Sequence, residues 1–178
     1  MVLAVPSPAN GVSGVDITAA FWNAQVRDAV TFAINPPILR VHQTTTTTSL
    51  PNATNTAITW DTNDVDSYSG HSTVTNPSRY VAQVAGWYQI SASIAITATS
   101  SGSGAWGYIA KNGTQVSPTA PGRLNPSTFQ VITVATDQIF LNTGDYIEVY
   151  ANQNDGSAKA TAISGGQFSM MSIRWVHA

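Results

Sequence analysis

The chain has 178 residues, 43% of them hydrophobic and only 9% charged, with a formal net charge of −2 and an isoelectric point near 5.8. That length suits one main domain, and the charge leaves no basic footprint for nucleic acid or an anionic membrane, so neither is expected as a main partner. Cysteine is absent, which excludes disulfides, zinc–thiolate centres and thiol nucleophiles, and solubility must rest on Thr, Ser, Asn and Gln.

The opening "MVLAVPSPANGVSG" has no basic leader, and two prolines interrupt its short apolar run. It does not read as a secretory signal, and no later run approaches the ~18 apolar residues of a membrane span, so synthesis in the cytoplasm is expected. From Val15, "VDITAAFWNAQVRDAVTFAINPP" carries helical periodicity. Trp22, Val26, Ala29 and Ala33 follow one face, joined by Ala19 and Val30, with Phe21 and Phe32 at its edge. Asp16 is the expected N-cap of a helix over about 17–34, and "NPP" stops it. Two readings of the stripe stand side by side: it packs on its own chain, or Phe21, Trp22, Val26 and Val30 anchor the protein to other copies or a larger assembly. Residues 1–37 are accordingly read as an arm and anchor helix, and 38–178 as the body.

From Ile38 onward, β-branched and aromatic runs alternate with turn clusters, the pattern of an all-β sandwich or barrel. In "TTTTTSLPNATNTA" the threonines favour extended structure and "LPN" a turn. "GWYQISASIAIT" is the clearest strand, with Tyr88, Ile90, Ala92, Ile94 and Ile96 on one face and Trp87, Gln89, Ser91, Ser93 and Thr97 on the other. "WGYIA" is a further strand, "KNGT" a tight turn, and "SPTAPGRLNPS" a loop whose prolines keep it out of any central strand. "FQVITVATDQIFL" leads through "NTGD" into the period-two strand "YIEVYANQN"; "NQNDGSAKATAISGG" is polar loop, and "FSMMSIRWV" closes the body.

These signals, in this order, carry a resemblance. "GWYQISASI" resembles the Gly-x-Tyr-x-Phe strand of the jelly roll shared by tumour necrosis factor and the globular heads of complement subcomponents and short-chain collagens. "AKNGTQV" is similar to that family's Lys-Asn-Gly hairpin, "IFLNTGDYIEV" to its Leu-x-Leu-x-x-Gly-Asp-x-Val-x-Val segment, and "QFSMMSIRWV" to its terminal Phe-Ser-Gly-Phe strand. "ITWDTNDVDSYSG" stands where the family has a Phe-x-x-x-x-x-Asn and Tyr-Asp stretch. The matches cover about residues 58–176; Met170 replaces the terminal glycine, and Ile90 the Phe of the first motif. The resemblance implies an antiparallel jelly-roll sandwich and a threefold homotrimer. It also implies that Ile147 and Val149 are core, so that Tyr146, Glu148 and Tyr150 project outward as candidates for the trimer interface. Separately, "ITAAFWNAQVRDAVTFAINPP" resembles N-terminal segments of minor virion proteins of phages infecting actinobacteria.

No reaction centre stands out. His42, His71 and His177 lack any local triad motif, and "SSGSG" lacks the lysine and helix of a phosphate loop. Asp145 and Glu148 do not share a strand face, whereas Asp137 and Asp145 flank a hairpin; their simplest reading is as turn residues. Asp61, Asn63, Asp64 and Asp66 offer hard oxygen donors without the EF-hand spacing, making a weak candidate for calcium against a solvated turn. No cofactor is expected. Trp60, Trp87, Trp106 and Trp175 are the aromatic candidates for a sugar platform, against core or interface placement. The expectation is a non-enzymatic, homotrimeric decoration protein on a virion surface, a head fibre or cement held to the major capsid or tail protein by its arm. The alternative is a receptor-binding tail-fibre module that recognises a host glycan.

Overall fold

The computed structural model describes residues 18–97, 104–123, 130–136, 138–164 and 168–178, with Pro6, Gly14, Asp16 and Gly166 singly. Most of the arm before residue 18 lies outside these residues, as does Asp137. Helical backbone runs from 19 to 34: Ala19–Trp22 (α1), a wider i→i+5 turn over Asn23–Arg27, then Asp28–Ile34 (α2). The helix starts two residues later than its periodicity predicts. Thr18, not Asp16, is the cap, because its Oγ1 accepts the Phe21 N–H at 3.1 Å, three residues on.

The body is built of strands. Sheet I has the order β10–β6–β14–β1–β4, formed by Gln130–Ala135, Gly86–Ile96, Met170–His177, Ile38–His42 and Thr62–Asp66, with Ile139–Leu141 (β11) also on β6. Sheet II has the order β3–β12–β7–β8, formed by Thr56–Ala57, Tyr146–Gln153, Gly104–Lys111 and Thr114–Gln115. Here Tyr80–Val81 (β5) pairs with β12 and Ala120–Arg123 (β9) with β7. A small ribbon joins Ser49–Leu50 (β2) to Lys159–Ala160 (β13). All these pairings are antiparallel, and the two sheets form the expected jelly-roll sandwich.

Period-two patterning decides what fills it. Tyr88, Ile90, Ala92, Ile94 and Ile96 of β6 meet Leu39, Val41, Met171 and Ile173 within sheet I, and Ile109, Ile147, Val149 and Ala151 from sheet II; all are buried. The "KNGT" turn is a two-residue hairpin loop with Asn112 at φ 50° and Gly113 at φ 79°, the positive pair that a tight antiparallel connection requires.

Three boundaries differ from the sequence reading. "FQVITVATDQIFL" is split into β10 and β11, both alongside β6, because Thr136 turns aside to exchange hydrogen bonds with Ile90. The proline-rich stretch contains β9, which accommodates Pro121 because it is outermost in its sheet. The polar loop after β12 contains β13.

Tyr88 is fully buried and donates its hydroxyl to Val84 O at 2.6 Å; burial pushes its pKa up to about 12. Tyr88→Phe strands that carbonyl. It is expected to cost about 1–2 kcal/mol, read as a fall of roughly 2–8 °C in Tm by calorimetry.

Candidate functional site: the helix and the two outer faces

The helix touches the body chiefly through one side chain. Phe32, at the edge of the apolar stripe, is buried edge-on against Trp175, with centroids 4.9 Å apart, and reaches Tyr68 at 6.3 Å. The following residues are clamped: Ser67 Oγ donates to Pro36 O, and Trp175 N donates to Pro37 O. The stripe itself is left open, with Trp22 54%, Val30 50% and Ile34 77% exposed, and Phe21 and Val26 more than a third exposed. Trp22, Val26, Val30 and Ile34 are four apart, a spacing that overshoots an α-helical turn by about 40° at each step. The wider turn at Asn23–Arg27 takes part of that overshoot back, so these residues form a straighter ridge.

The outer face of sheet I is the second feature. Ser91, Ser93, Thr133 and Ser172 share it with Gln89, Arg174 and Arg40. Around them stand exposed apolar residues: Val65 opposite Arg40, Val131 on β10, and Trp87 packed on Phe140 at 5.6 Å and stacked on His177 at 6.0 Å. On sheet II the outer face is occupied differently. Glu148, expected to project outward, is buried at 4% exposure, because Ser78 Oγ (2.7 Å), Arg79 Nε (3.2 Å) and the Tyr150 hydroxyl (3.2 Å) all donate to it. Tyr150 stacks on Tyr108 at 5.2 Å, and Tyr146 lies under the Arg79 guanidinium at 4.1 Å. The three trimer candidates therefore spend their polar atoms and ring faces largely on their own chain. Burial, then the Glu148 charge, pushes the Tyr150 hydroxyl above its usual range.

The carboxylates of the calcium candidate do not converge. Asp61 accepts from the backbone of Thr44, Thr45 and Thr46; Asp64 pairs with Arg40 and His42; Asp66 accepts from Gly70 N and His71 N; and Asn63 meets His71 Nδ1. Among the described residues no group of three or more acidic, His or Cys side chains is placed to hold a metal. Asp145 is a turn residue: it pairs with Lys111 and accepts from Asn112 Nδ2 and Asn142 N, and these bonds, Lys111 foremost, hold its pKa down to about 2. Of the sugar-platform candidates, Trp60 is core at 1% exposure and Trp175 is taken up by the helix dock. Trp87 and Trp106 remain on outer faces.

The sheet order and core define a jelly-roll fold of the tumour necrosis factor type. Crystal structures of murine APRIL have this fold. The one at pH 5.0 superposes with a TM-score of 0.55 at 14% identity, covering 78% of this chain and 98% of that one. Those at pH 8.5 and pH 8.0 give 0.53 at 12% and 0.54 at 13%, with the same coverage. No family model matches the chain, and no curated protein does.

Proposed function

We propose that the chain is a non-enzymatic virion structural protein: a self-associating, homotrimeric jelly-roll head that decorates a phage shell and is held there by its N-terminal helix. The observation that carries this reading is the ridge of Phe21, Trp22, Val26, Val30 and Ile34, which the chain's own body leaves uncovered. A ridge of this kind is stable in water when a partner covers it, and the major capsid or tail protein is the proposed partner. Three short arms on one trimer gain avidity that a single arm lacks. The proposed self-association surface is the outer face of sheet I, where exposed Val65, Trp87, Val131 and Phe140 stand around a serine- and threonine-rich field that also carries Arg40 and Arg174. Tyr146, Glu148 and Tyr150 are less suited, being already engaged within the chain.

Sedimentation equilibrium of the full-length protein is expected to give the mass of three chains. The triple variant Trp22→Ser, Val26→Ser, Val30→Ser is expected to keep that mass, to melt within about 2 °C of the parent, and to lose binding to shells stripped of the protein, since the substituted side chains lie outside the core. A monomer at high concentration would remove the trimer, and undiminished shell binding by the variant would remove the anchor.

A further inference from the structure

A cleft of about 470 Å³ opens beside sheet II, between the 69–83 segment and the turn before β12. It is independent of the helix and of the outer face of sheet I. The hydroxyl-bearing Ser69, Ser72 and Thr75 and the amides Asn76 and Gln83 line it, together with Arg79 and Tyr146.

Some lining groups help to hold the walls: Ser72 Oγ accepts from Val74 N and Thr75 N, and Gln83 Nε2 donates to Val81 O. Asp66 grips the Gly70 and His71 N–H groups at 3.0 and 2.9 Å, and the His71 ring is fixed between Asn63 Oδ1 at 2.7 Å and Pro77 O at 3.1 Å. Arg79 N donates to Asn76 O at 2.9 Å, closing the turn that carries both residues. Arg79 itself is fixed at three points: this backbone bond, Nε on Glu148, and its guanidinium plane over the Tyr146 ring. Its two terminal nitrogens have no partner among the described residues. A guanidinium locked through Nε and one face keeps its terminal edge for a planar, doubly accepting group, and carboxylate fits that edge by geometry and charge. The remaining lining is hydroxyl and amide, suited to a ligand rich in hydroxyl groups rather than an apolar one.

We infer that this cleft binds a sugar bearing a carboxylate, of the uronic-acid class, with the carboxylate on the terminal nitrogens of Arg79 and the ring hydroxyls on the Ser, Thr, Asn and Gln lining. Glu148 lies on the Nε side of Arg79, where it orients the guanidinium and shares its own charge among three donors.

The test is a titration of the ¹⁵N-labelled full-length protein with glucuronate, glucose and acetate, followed through the amides of residues 69–83. Glucuronate is expected to bind with a dissociation constant on the order of millimolar, and glucose and acetate each about tenfold or more weaker, since each offers half of the recognition. Arg79→Met combined with Glu148→Gln, which leaves no uncompensated buried charge, is expected to reduce glucuronate to the level of glucose. Thr75→Trp, on an exposed position at the cleft, should block all three ligands without touching the Arg79–Glu148 pair. Equal binding of glucose would overturn the carboxylate contact, and equal binding of acetate would leave a simple anion site. No amide shift with glucuronate, or glucuronate binding that survives both variants, would remove the site.

Discussion

Gly86→Ala is expected to destabilise the protein by about 3–5 kcal/mol, lowering Tm by roughly 6–20 °C. Two independent costs meet at this residue. Its φ of 150° lies outside what side-chain-bearing residues ordinarily adopt. A Cβ there would also collide with Trp175 Nε1 and come to 2.7 Å from His177 O. The Trp175 ring has nowhere easy to go. Its Nε1 donates to Ala85 O at 3.2 Å, and Phe32 packs against it from the helix side. Displacing the indole should therefore loosen the helix dock as well as the first residue of β6. Thermal unfolding gives the first effect, and faster protease cleavage around residues 35–37 gives the second. A variant melting within about 2 °C of the parent would mean that the close approach at Gly86 is relieved at little cost.

That contact explains how far the sequence can be read. Gly86 stands in "GWYQISASI", a motif whose Tyr88, Ile90, Ala92, Ile94 face is legible from period two alone, and the structure buries that face. The Asn112–Gly113 turn is legible in the same local way, whereas on β12 period two only separates the two faces and the family resemblance says that the Ile147 and Val149 face is core, as the structure has it. What is not local was not legible. Helical spacing identified the stripe through Trp22, Val26 and Val30. The choice between covering it and leaving it open depends on where Trp175 and Tyr68 stand, and they take Phe32 from the edge of the stripe instead.

Glu148 makes the same point from the other side. The resemblance assigns it to the outer face of β12, yet Ser78 and Arg79, some 70 residues earlier in the chain, reach over and bury it. The cleft has no local signature for the same reason: Arg79 sits in "NPSRY", with no motif around it. The one available signal was that a chain with only seven basic residues places one of them there. An aromatic-rich chain also invites overreading of its tryptophans. Trp60 is a sugar-platform candidate by type, yet it is buried in the same core cluster as Ile58 and Tyr80.

Asp61→Asn is the second large effect, expected at about 2–4 kcal/mol and roughly 4–16 °C in Tm at neutral pH. The threonine tract wraps this one carboxylate. Oδ1 accepts from Thr44 N at 2.8 Å and from the hydroxyls of Thr44 and Thr62; Oδ2 accepts from Thr45 N at 2.8 Å, Thr46 N at 2.6 Å and the Thr45 hydroxyl. An amide keeps the shape but turns one oxygen into a donor facing donors. Burial alone would raise the Asp61 pKa; the backbone and Thr62 hydrogen bonds outweigh it and hold the carboxyl far below the usual range. A carboxyl depressed in the folded state contributes its full stability above the unfolded value of about 3.9 and loses it as pH falls towards the folded value. The Tm gap between parent and Asp61→Asn should thus be constant from neutrality down to about pH 5 and close progressively below pH 4. A gap that is unchanged at pH 2.5, or that widens on acidification, would mean that the carboxylate charge is not what holds the tract. Because both oxygens of Asp61 are already filled by the protein's own donors, calcium and a chelator should give the same Tm. A calcium-dependent rise abolished by Asp61→Asn would return the loop to metal binding.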